Sequence, residues 1–403
     1  MKREGKLREG FTTGTAAAGA AKAAAILLLG GEVPDAIDVP LPGGGRLVVP
    51  VAEVRRDGEG AYGAVIKDGG DDPDATHGAA IGCRVSFGGL PGEINVDGGA
   101  GVGRVTLPGL PVAVGQAAIN PAPRAQIAAA VAEAVQECGA AKKQYDSIVF
   151  NTPLAASSCQ QNAQYSFFGH DTHGLRAVVT VAGGEDIAKK TLNPRLGIVG
   201  GISILGVTGI VRPFSHDAWR VSISEALDVA RALSHDVVGF STGRRSEALL
   251  AAAEPALPAT ALIQAADFFA HALREAAARR FGRIVWAAFG GKLVKMAQGL
   301  ENTHAWRGDT DFSALAGWCR EAGWPEAAAE QAGRANTARQ ALEEAPSPEA
   351  KAALVAVLSR EALGHMRRFA GPEPGLALRV FDFDGEELAC LEDAGTPASS
   401  RGD

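Results

Sequence analysis

The stretch Asp236-Val-Val-Gly-Phe-Ser-Thr-Gly-Arg-Arg-Ser-Glu247 and its counterpart Arg283-Ile-Val-Trp-Ala-Ala-Phe-Gly-Gly-Lys-Leu-Val-Lys295 decide the fold class. Each is a short run of β-branched and aromatic residues, closed by a glycine-bearing loop and followed by helix-forming sequence. The first leads into a helix through Ala253, and a helix over Asp267–Arg280 lies between the two units. Ahead of them Asp217–Leu233 is amphipathic, with Ile223, Ala226, Leu227, Ala230 and Leu233 on one face, Asp217 in the first turn and Arg231 near the end. Strands alternating with helices imply a parallel sheet whose ligands sit beyond the carboxyl ends of the strands. Both glycine loops fall at that edge, so residues 215–310 read as a Rossmann-like α/β domain.

Upstream, residues 1–214 read as an α+β domain rich in glycine. Apolar alternations such as Arg46-Leu-Val-Val-Pro-Val51 and Ala61-Tyr-Gly-Ala-Val-Ile66 are strands, with Gly43-Gly-Gly45 and Gly98-Gly99 as turns. Thr15 is placed to cap a helix over Ala16–Leu29. A second helix follows Asn120-Pro-Ala-Pro-Arg124, with Ile127, Val131 and Val135 four apart and Cys138 closing the face. Residues 142–174 differ in character: they hold Tyr145, Tyr165, Ser157-Ser-Cys-Gln-Gln-Asn162, His170 and His173. Cys159 and His170 lack a compact ligand spacing, so the stretch reads as an insertion rather than a metal site. Residues 311–403 are helical, then form a hairpin of Leu376–Phe383 and Glu387–Leu391 around Asp384-Gly385 that packs back on the core.

At 403 residues the chain accommodates two or three domains. Acids exceed bases 46 to 39, for a net charge of −7, which supplies no global field for nucleic acid. The bases are 28 arginines and 11 lysines, a bias that fits either genome composition or fixed-charge recognition of carboxylates. Five scattered cysteines without a C-x-x-C pair suit a reducing cytoplasm. The apolar stretch Ala16–Leu29 carries Lys22 and is too short to span a bilayer, so no membrane role is expected.

No phosphate-binding loop of the Walker type is present, because Leu293 follows Gly291-Lys292 where Ser or Thr would hold magnesium. Gly98-Gly-Ala-Gly-Val-Gly103 lacks the G-x-G-x-x-G spacing. A ligand gripped without a pyrophosphate, such as S-adenosylmethionine, is the alternative to plain turn glycines and helix caps. Thr242, Gly243, Glu247, Asp267, Gly290 and Gly291 are the candidate cofactor-binding residues. Asp68-Gly-Gly-Asp-Asp-Pro-Asp-Ala-Thr-His77 crowds four carboxylates and an imidazole together, which suits proton transfer or cation binding as well as a solvated turn. Thr191–Pro213 threads glycines through an apolar run bracketed by Arg195 and Arg212. It is either a buried strand or a surface for a large flat ligand with carboxylate arms.

Taken together the chain resembles the cobalt-precorrin-5B C1-methyltransferase family, the CbiD type. The match is carried by Arg8-Glu-Gly-Phe-Thr-Thr-Gly-Thr15, Lys67–Gly78, Gly101–Val105 through Arg124, Ala188–Arg195 through Pro213, and Gly291–Gly299 with Asn302-Thr-His304, in family order. The resemblance implies a two-domain α/β protein unlike the usual tetrapyrrole methylases. It implies methyl transfer from S-adenosylmethionine to C1 of a cobalt-containing corrin precursor, with cobalt entering only as part of the substrate and no protein metal site. Asp71, Asp72, Asp74, His77 and His304 become candidate bases. Thr12, Thr13, Thr15, Arg195, Arg212, Lys292 and Lys295 become candidate substrate-binding residues, with residues 1–214 as the substrate side and 215–310 as the donor side. The sequence departs from the family at Ala16, where Cys is common, at Ala305, where Ser is common, and at 142–174. A non-catalytic corrinoid carrier is the rival reading, and homo-oligomers or contacts with other cobalamin-pathway enzymes are left open.

Overall fold

The structure is a computed structural model that describes residues 7–141, 165–166, 174–304 and 310–396. The chain is mixed α/β and forms two compact units, Met1–Ser215 and His216–Asp403. The insertion expected at 142–174, with Tyr145, Cys159, His170 and His173, lies outside the described residues apart from Tyr165, Ser166 and Gly174. Among the described residues no helix is long and apolar enough to cross a membrane.

The first unit opens with β1 (Gly10–Phe11) and α1 (Thr13–Leu28), followed by the hairpin β2 (Ala36–Pro40) and β3 (Arg46–Pro50). Then come β4 (Glu53–Asp57), β5 (Gly60–Ile66), β6 (Ala80–Phe87), β7 (Glu93–Gly98), β8 (Gly101–Val102) and β9 (Arg104–Val105). Helix α2 (Pro121–Ala141) precedes β10 (Tyr165–Ser166), β11 (Leu175–Val181), α3 (Gly184–Ala188), β12 (Ile198–Val199), β13 (Gly201–Ile202) and β14 (Ile210–Val211). A six-stranded sheet runs in the order β10-β7-β11-β6-β5-β4, antiparallel except for the parallel pair β7 and β11. Helix α1 is mostly alanine and glycine and is buried along its length against α2, β5 and β6. Small residues permit that approach: a Cβ on Gly63 would stand 2.4 Å from the Ala20 carbonyl oxygen. The cap of α1 is Thr12, whose hydroxyl accepts the Thr15 amide at 3.2 Å. The expected cap, Thr15, instead lies inside the helix, because Thr13-Gly14-Thr15 already forms its first turn. Short ladders β1–β14, β8–β13 and β9–β12 tie residues 198–211 to the amino-terminal segment and to residues 101–105.

The second unit runs α4 (His216–Ala232), β15 (Val237–Ser241), α5 (Arg244–Ala253), β16 (Leu262–Gln264), α6 (Phe269–Ala278), β17 (Arg283–Phe289) and α7 (Gly290–Ala297). It continues through α8 (Phe312–Glu321), α9 (Glu326–Gly333), α10 (Ala338–Glu343) and α11 (Pro348–Ala370) to the hairpin β18 (Gly375–Phe381) and β19 (Glu387–Asp393). Its sheet has the order β16-β15-β17-β18-β19, parallel except for the edge strand β19. Strand β17 is buried on both faces, which is why Ile-Val-Trp-Ala-Ala reads as a continuous apolar run. Val238, Phe240, Ile284 and Trp286 pack with residues of α4, α6, α7 and α11. Val285, Ala287, Ala377 and Phe381 pack with Leu250 of α5. The carboxyl-terminal hairpin thus completes the sheet begun by β15.

Candidate functional site

In the first unit, three sequence blocks that looked unrelated meet. Strand β1 pairs with β14, so Gly10 faces Val211 and Phe11 faces Ile210. The acidic loop after β5 folds onto the same place: Phe11 donates its amide to the Asp68 carbonyl at 2.8 Å, and a Cβ on Gly10 would stand 2.4 Å from that oxygen. Glycine at position 10 is therefore a requirement of close backbone approach. Asp71 accepts the Arg8 amide at 2.6 Å, and Asp72 accepts the Phe214 amide at 2.8 Å. Phe214 is exposed and its φ of 57° lies in the left-handed region, a conformation with a backbone cost for a bulky residue.

The carboxylates of the loop divide into two kinds. Asp68 is bound by the Arg8 guanidinium, and that hydrogen bond together with the Gly70 amide holds its pKa below the usual carboxylate range. Burial alone would raise the Asp74 pKa, but the Lys67 ammonium and the Thr76 hydroxyl and amide lower it. The Lys67 side chain is 1% exposed and pairs with Asp74, so the loop is stapled from beneath. Asp71 and Asp72 take main-chain amides instead. Nδ1 of His77 accepts the Gly69 amide at 3.0 Å, so that nitrogen carries no proton in this arrangement.

Thr12, Thr13 and Thr15 are buried and serve the same assembly. Thr13 Oγ1 accepts the Leu205 amide at 3.0 Å, and Thr15 Oγ1 donates to the Gly209 carbonyl at 2.8 Å while receiving Gln126 Nε2 at 3.1 Å. They hold the segment 205–209, which presents Leu205 and Val207 to solvent. Arg195 and Arg212 are exposed, and Arg212 stands 3.4 Å from Glu9.

In the second unit the candidate residues collect at the carboxyl edge of the parallel strands. The chain leaves β15 for β16 on one side and returns to β17 on the other, so the order of the parallel strands reverses between β15 and β17. Open sheets bind ligands in the crevice at such a point. The loops that flank it are Thr242-Gly243, after β15, and Gly290-Gly291, opening α7 after β17. Nothing lies within 4 Å of where a Cβ would stand on Gly243 or Gly291, whereas one on Gly290 would meet Leu342 Cδ1 at 2.6 Å. The Ser246 hydroxyl accepts the Thr242 and Gly243 amides at 3.1 and 3.2 Å and fixes the turn. Glu247 is buried and bound by Gln264, the last residue of β16.

Asp267, Lys292, Lys295 and His304 form one knot. Lys292 pairs with Asp267 and donates to the Thr303 carbonyl at 3.1 Å, and Thr303 Oγ1 reaches Asp267 at 3.1 Å. Lys295 donates to the His304 carbonyl at 3.1 Å. The readings of Asp267 as a cofactor-binding residue and of Lys292 as a substrate-binding residue therefore compete, since each group occupies the other. Sequence reasoning passed over Arg8, Lys67, Phe214, Arg244, Arg245 and Ser246. Only Arg244-Arg245, two cations opening a helix that favours acids there, carried a visible signal. Among the described residues no group of three or more His, Cys, Asp or Glu side chains forms a metal cluster. Ala305 lies outside the described residues.

Two architectures assembled from these blocks define a class. The CbiD family model matches residues 1–213 and the model of the CbiD carboxyl-terminal domain matches residues 302–391, and the chain belongs to the CbiD family. It is 50% identical over 392 residues to the cobalt-precorrin-5B C(1)-methyltransferase of Nitratidesulfovibrio vulgaris, covering 95% of this chain and 92% of that protein. It is 43% identical over 340 residues to the protein of the same name from Geobacillus kaustophilus, covering 84% and 83%. The crystal structure of the cobalamin biosynthesis protein (cbiD) from Archaeoglobus fulgidus is 26% identical, covers 72% of this chain and 80% of that one, and gives a TM-score of 0.36.

Proposed function

We propose that this chain transfers a methyl group from S-adenosylmethionine to C1 of cobalt-precorrin-5B, giving cobalt-precorrin-6A, in the oxygen-independent route to cobalamin in the cytoplasm. The observation that carries the reading is the 50% identity to a cobalt-precorrin-5B C(1)-methyltransferase along 95% of the chain. The second unit, read as Rossmann-like, is the donor side. Its topological switch point and the open space over Gly243 and Gly291 suit a ligand that needs close backbone approach. Thr242, Gly243, Glu247, Gly290 and Gly291 would hold the donor, which brings a methyl group already activated on a sulfonium. The first unit is the substrate side, where exposed Arg195 and Arg212 offer guanidiniums to the acid arms of the ring.

The ring carbon is the nucleophile and the donor is pre-activated, so the protein's work is alignment and exclusion of water. Asp71 and Asp72 are the carboxylates of the loop held by main-chain amides, and they are the candidates to take a ring proton, with His77 and His304 beside them in the proposal. Cobalt arrives within the substrate. Anaerobic incubation of the full chain with cobalt-precorrin-5B and methyl-labelled donor tests the reading. Label at C1 of the product is expected. Tight binding of the precursor with no label transferred, by protein that also binds S-adenosylhomocysteine, would overturn it in favour of a carrier.

A further inference from the structure

Helix α5 begins in a way that is unfavourable unless an anion completes it. Its first two residues are Arg244 and Arg245, both exposed, at the end of the helix where the backbone dipole is already positive. Among the described residues no carboxylate pairs with either guanidinium. The cap residue is Gly243, which has no side chain to accept the amides of Arg244, Arg245 and Ser246. The first intrahelical bond comes from Glu247, whose amide reaches the Gly243 carbonyl at 2.9 Å. The Glu247 carboxylate that would offset the charge is buried and turned to Gln264.

A second observation points the same way. Ser241, the last residue of β15, is completely buried and its hydroxyl has no hydrogen-bond partner among the described residues. Side chains alternate along a strand, and a Cβ on Gly239 would touch Leu250 of α5 at 2.9 Å. Ser241 shares that face, the one covered by α5, and stands two residues before the Gly243 cap. An orphaned buried hydroxyl is costly and calls for a partner.

The surroundings give the site a wall. Phe289, which ends β17, stacks on Phe383 with centroids 4.9 Å apart and planes 7° from parallel. The Arg245 guanidinium carbon is 5.9 Å from the first ring and 5.8 Å from the second, so it lies beside the pair. Arg339 covers Phe383 at 4.3 Å but is neutralised by Glu343 at 2.7 Å. Arg245, like Arg244, is therefore without a carboxylate among the described residues, and it lies beside these rings.

We infer that the amino-terminal turn of α5, with Arg244, Arg245 and the Ser241 hydroxyl, is a carboxylate-binding site. Three amides, two guanidiniums and a hydroxyl form a donor set with no acceptor among the described residues, and a carboxylate accepts from such a set in bidentate fashion. The inference rests on the methyltransferase reading for the identity of the ligand. In that reading two carboxylate sources exist: the amino-acid end of the methyl donor and the acid arms of the corrin ring.

The test uses the full chain and its Arg244→Ala/Arg245→Ala and Ser241→Ala variants. S-adenosylhomocysteine is titrated by calorimetry and cobyrinic acid by absorbance, with melting temperature as the control. Loss of about tenfold or more in affinity for one probe in the double variant, with the other unchanged, supports the site and assigns its source. Ser241→Ala is expected to lower the same affinity while melting no earlier than the parent, since it removes an unsatisfied group. Unchanged affinity for both probes in the double variant overturns the inference and leaves the methyltransferase reading intact. Parent protein that binds neither probe overturns both. Should the double variant melt early, Arg245→Gln alone gives the same discrimination, because the residue is exposed and makes no ion pair among the described residues.

Discussion

The carboxylate of Asp72 accepts the backbone amide of Phe214 at 2.8 Å, joining the acidic loop to a residue 142 positions further along the chain. The bond holds an exposed aromatic residue in a left-handed backbone conformation. Asp72→Asn keeps an acceptor for that amide and removes only the charge, whereas Asp72→Ala removes both. We expect Asp72→Asn to leave the melting temperature within a few degrees of the parent and to slow single-turnover methylation. Asp72→Ala should in addition destabilise the chain by about 0.5–1.5 kcal/mol, the net worth of a hydrogen bond whose amide water can then reach. Equal turnover in the parent and Asp72→Asn would remove Asp72 from the candidate bases.

The buried pair Lys67–Asp74 sets an acid limit on the loop. Asp74 has a folded-state pKa below its unfolded value, so the stabilisation is fully present above about pH 4 and is lost as the pH falls through the folded value. Lys67→Met leaves Asp74 partly buried without its cation, and breaking such a pair costs on the order of 3 kcal/mol. Urea unfolding at pH 7 and pH 3 checks this. The gap between the parent and Lys67→Met should narrow at the lower pH.

Gly290 and Gly291 are adjacent yet should behave oppositely. A methyl group on Gly290 meets Leu342, while one on Gly291 meets nothing within 4 Å. Gly290→Ala is therefore expected to destabilise by about 1–3 kcal/mol through overpacking. Gly291→Ala should be tolerated by the fold and weaken S-adenosylhomocysteine binding by filling the open space. Calorimetric affinity and melting temperature measured on both variants separate the two effects.

Glu254 closes α5 and binds two strands at once, Arg283 of β17 at 3.1 Å and Arg379 of β18 at 2.8 Å. Burial would raise its pKa, but the two guanidiniums lower it. Glu254→Gln leaves both arginines under-compensated, and we expect a loss of about 2 kcal/mol in chemical denaturation with no change in donor affinity.

The parallel sheet was legible because its strands are buried on both faces and its loops carry glycines, as in Arg283–Phe289 followed by Gly290-Gly291. Strand β16 was not legible: three residues carry no period. The cap of α1 was misplaced by one turn because three threonines compete for the position and tertiary bonds to Leu205 and Gly209 decide among them. The motifs of the candidate site were visible one by one, but their meeting was not. Arg8, Asp72 and Phe214 come together through the β1–β14 pairing, a contact that no local pattern encodes. Lys292 and Asp267 were each read as facing a ligand because sequence cannot reveal that they face each other.

Strand β18 lies beside β17 in full register, from Arg283 opposite Gly375 to Phe289 opposite Phe381. Synthesis delivers β17 five helices before β18. Until residues 375–381 emerge, an apolar strand is left with an unsatisfied hydrogen-bonding edge. The second unit is thus a late folder during translation, exposed to mispairing for as long as the ribosome takes to write α7 to α11. A chain stopped short of β18 would carry every residue of the proposed donor site and still lack the strand that makes its sheet whole.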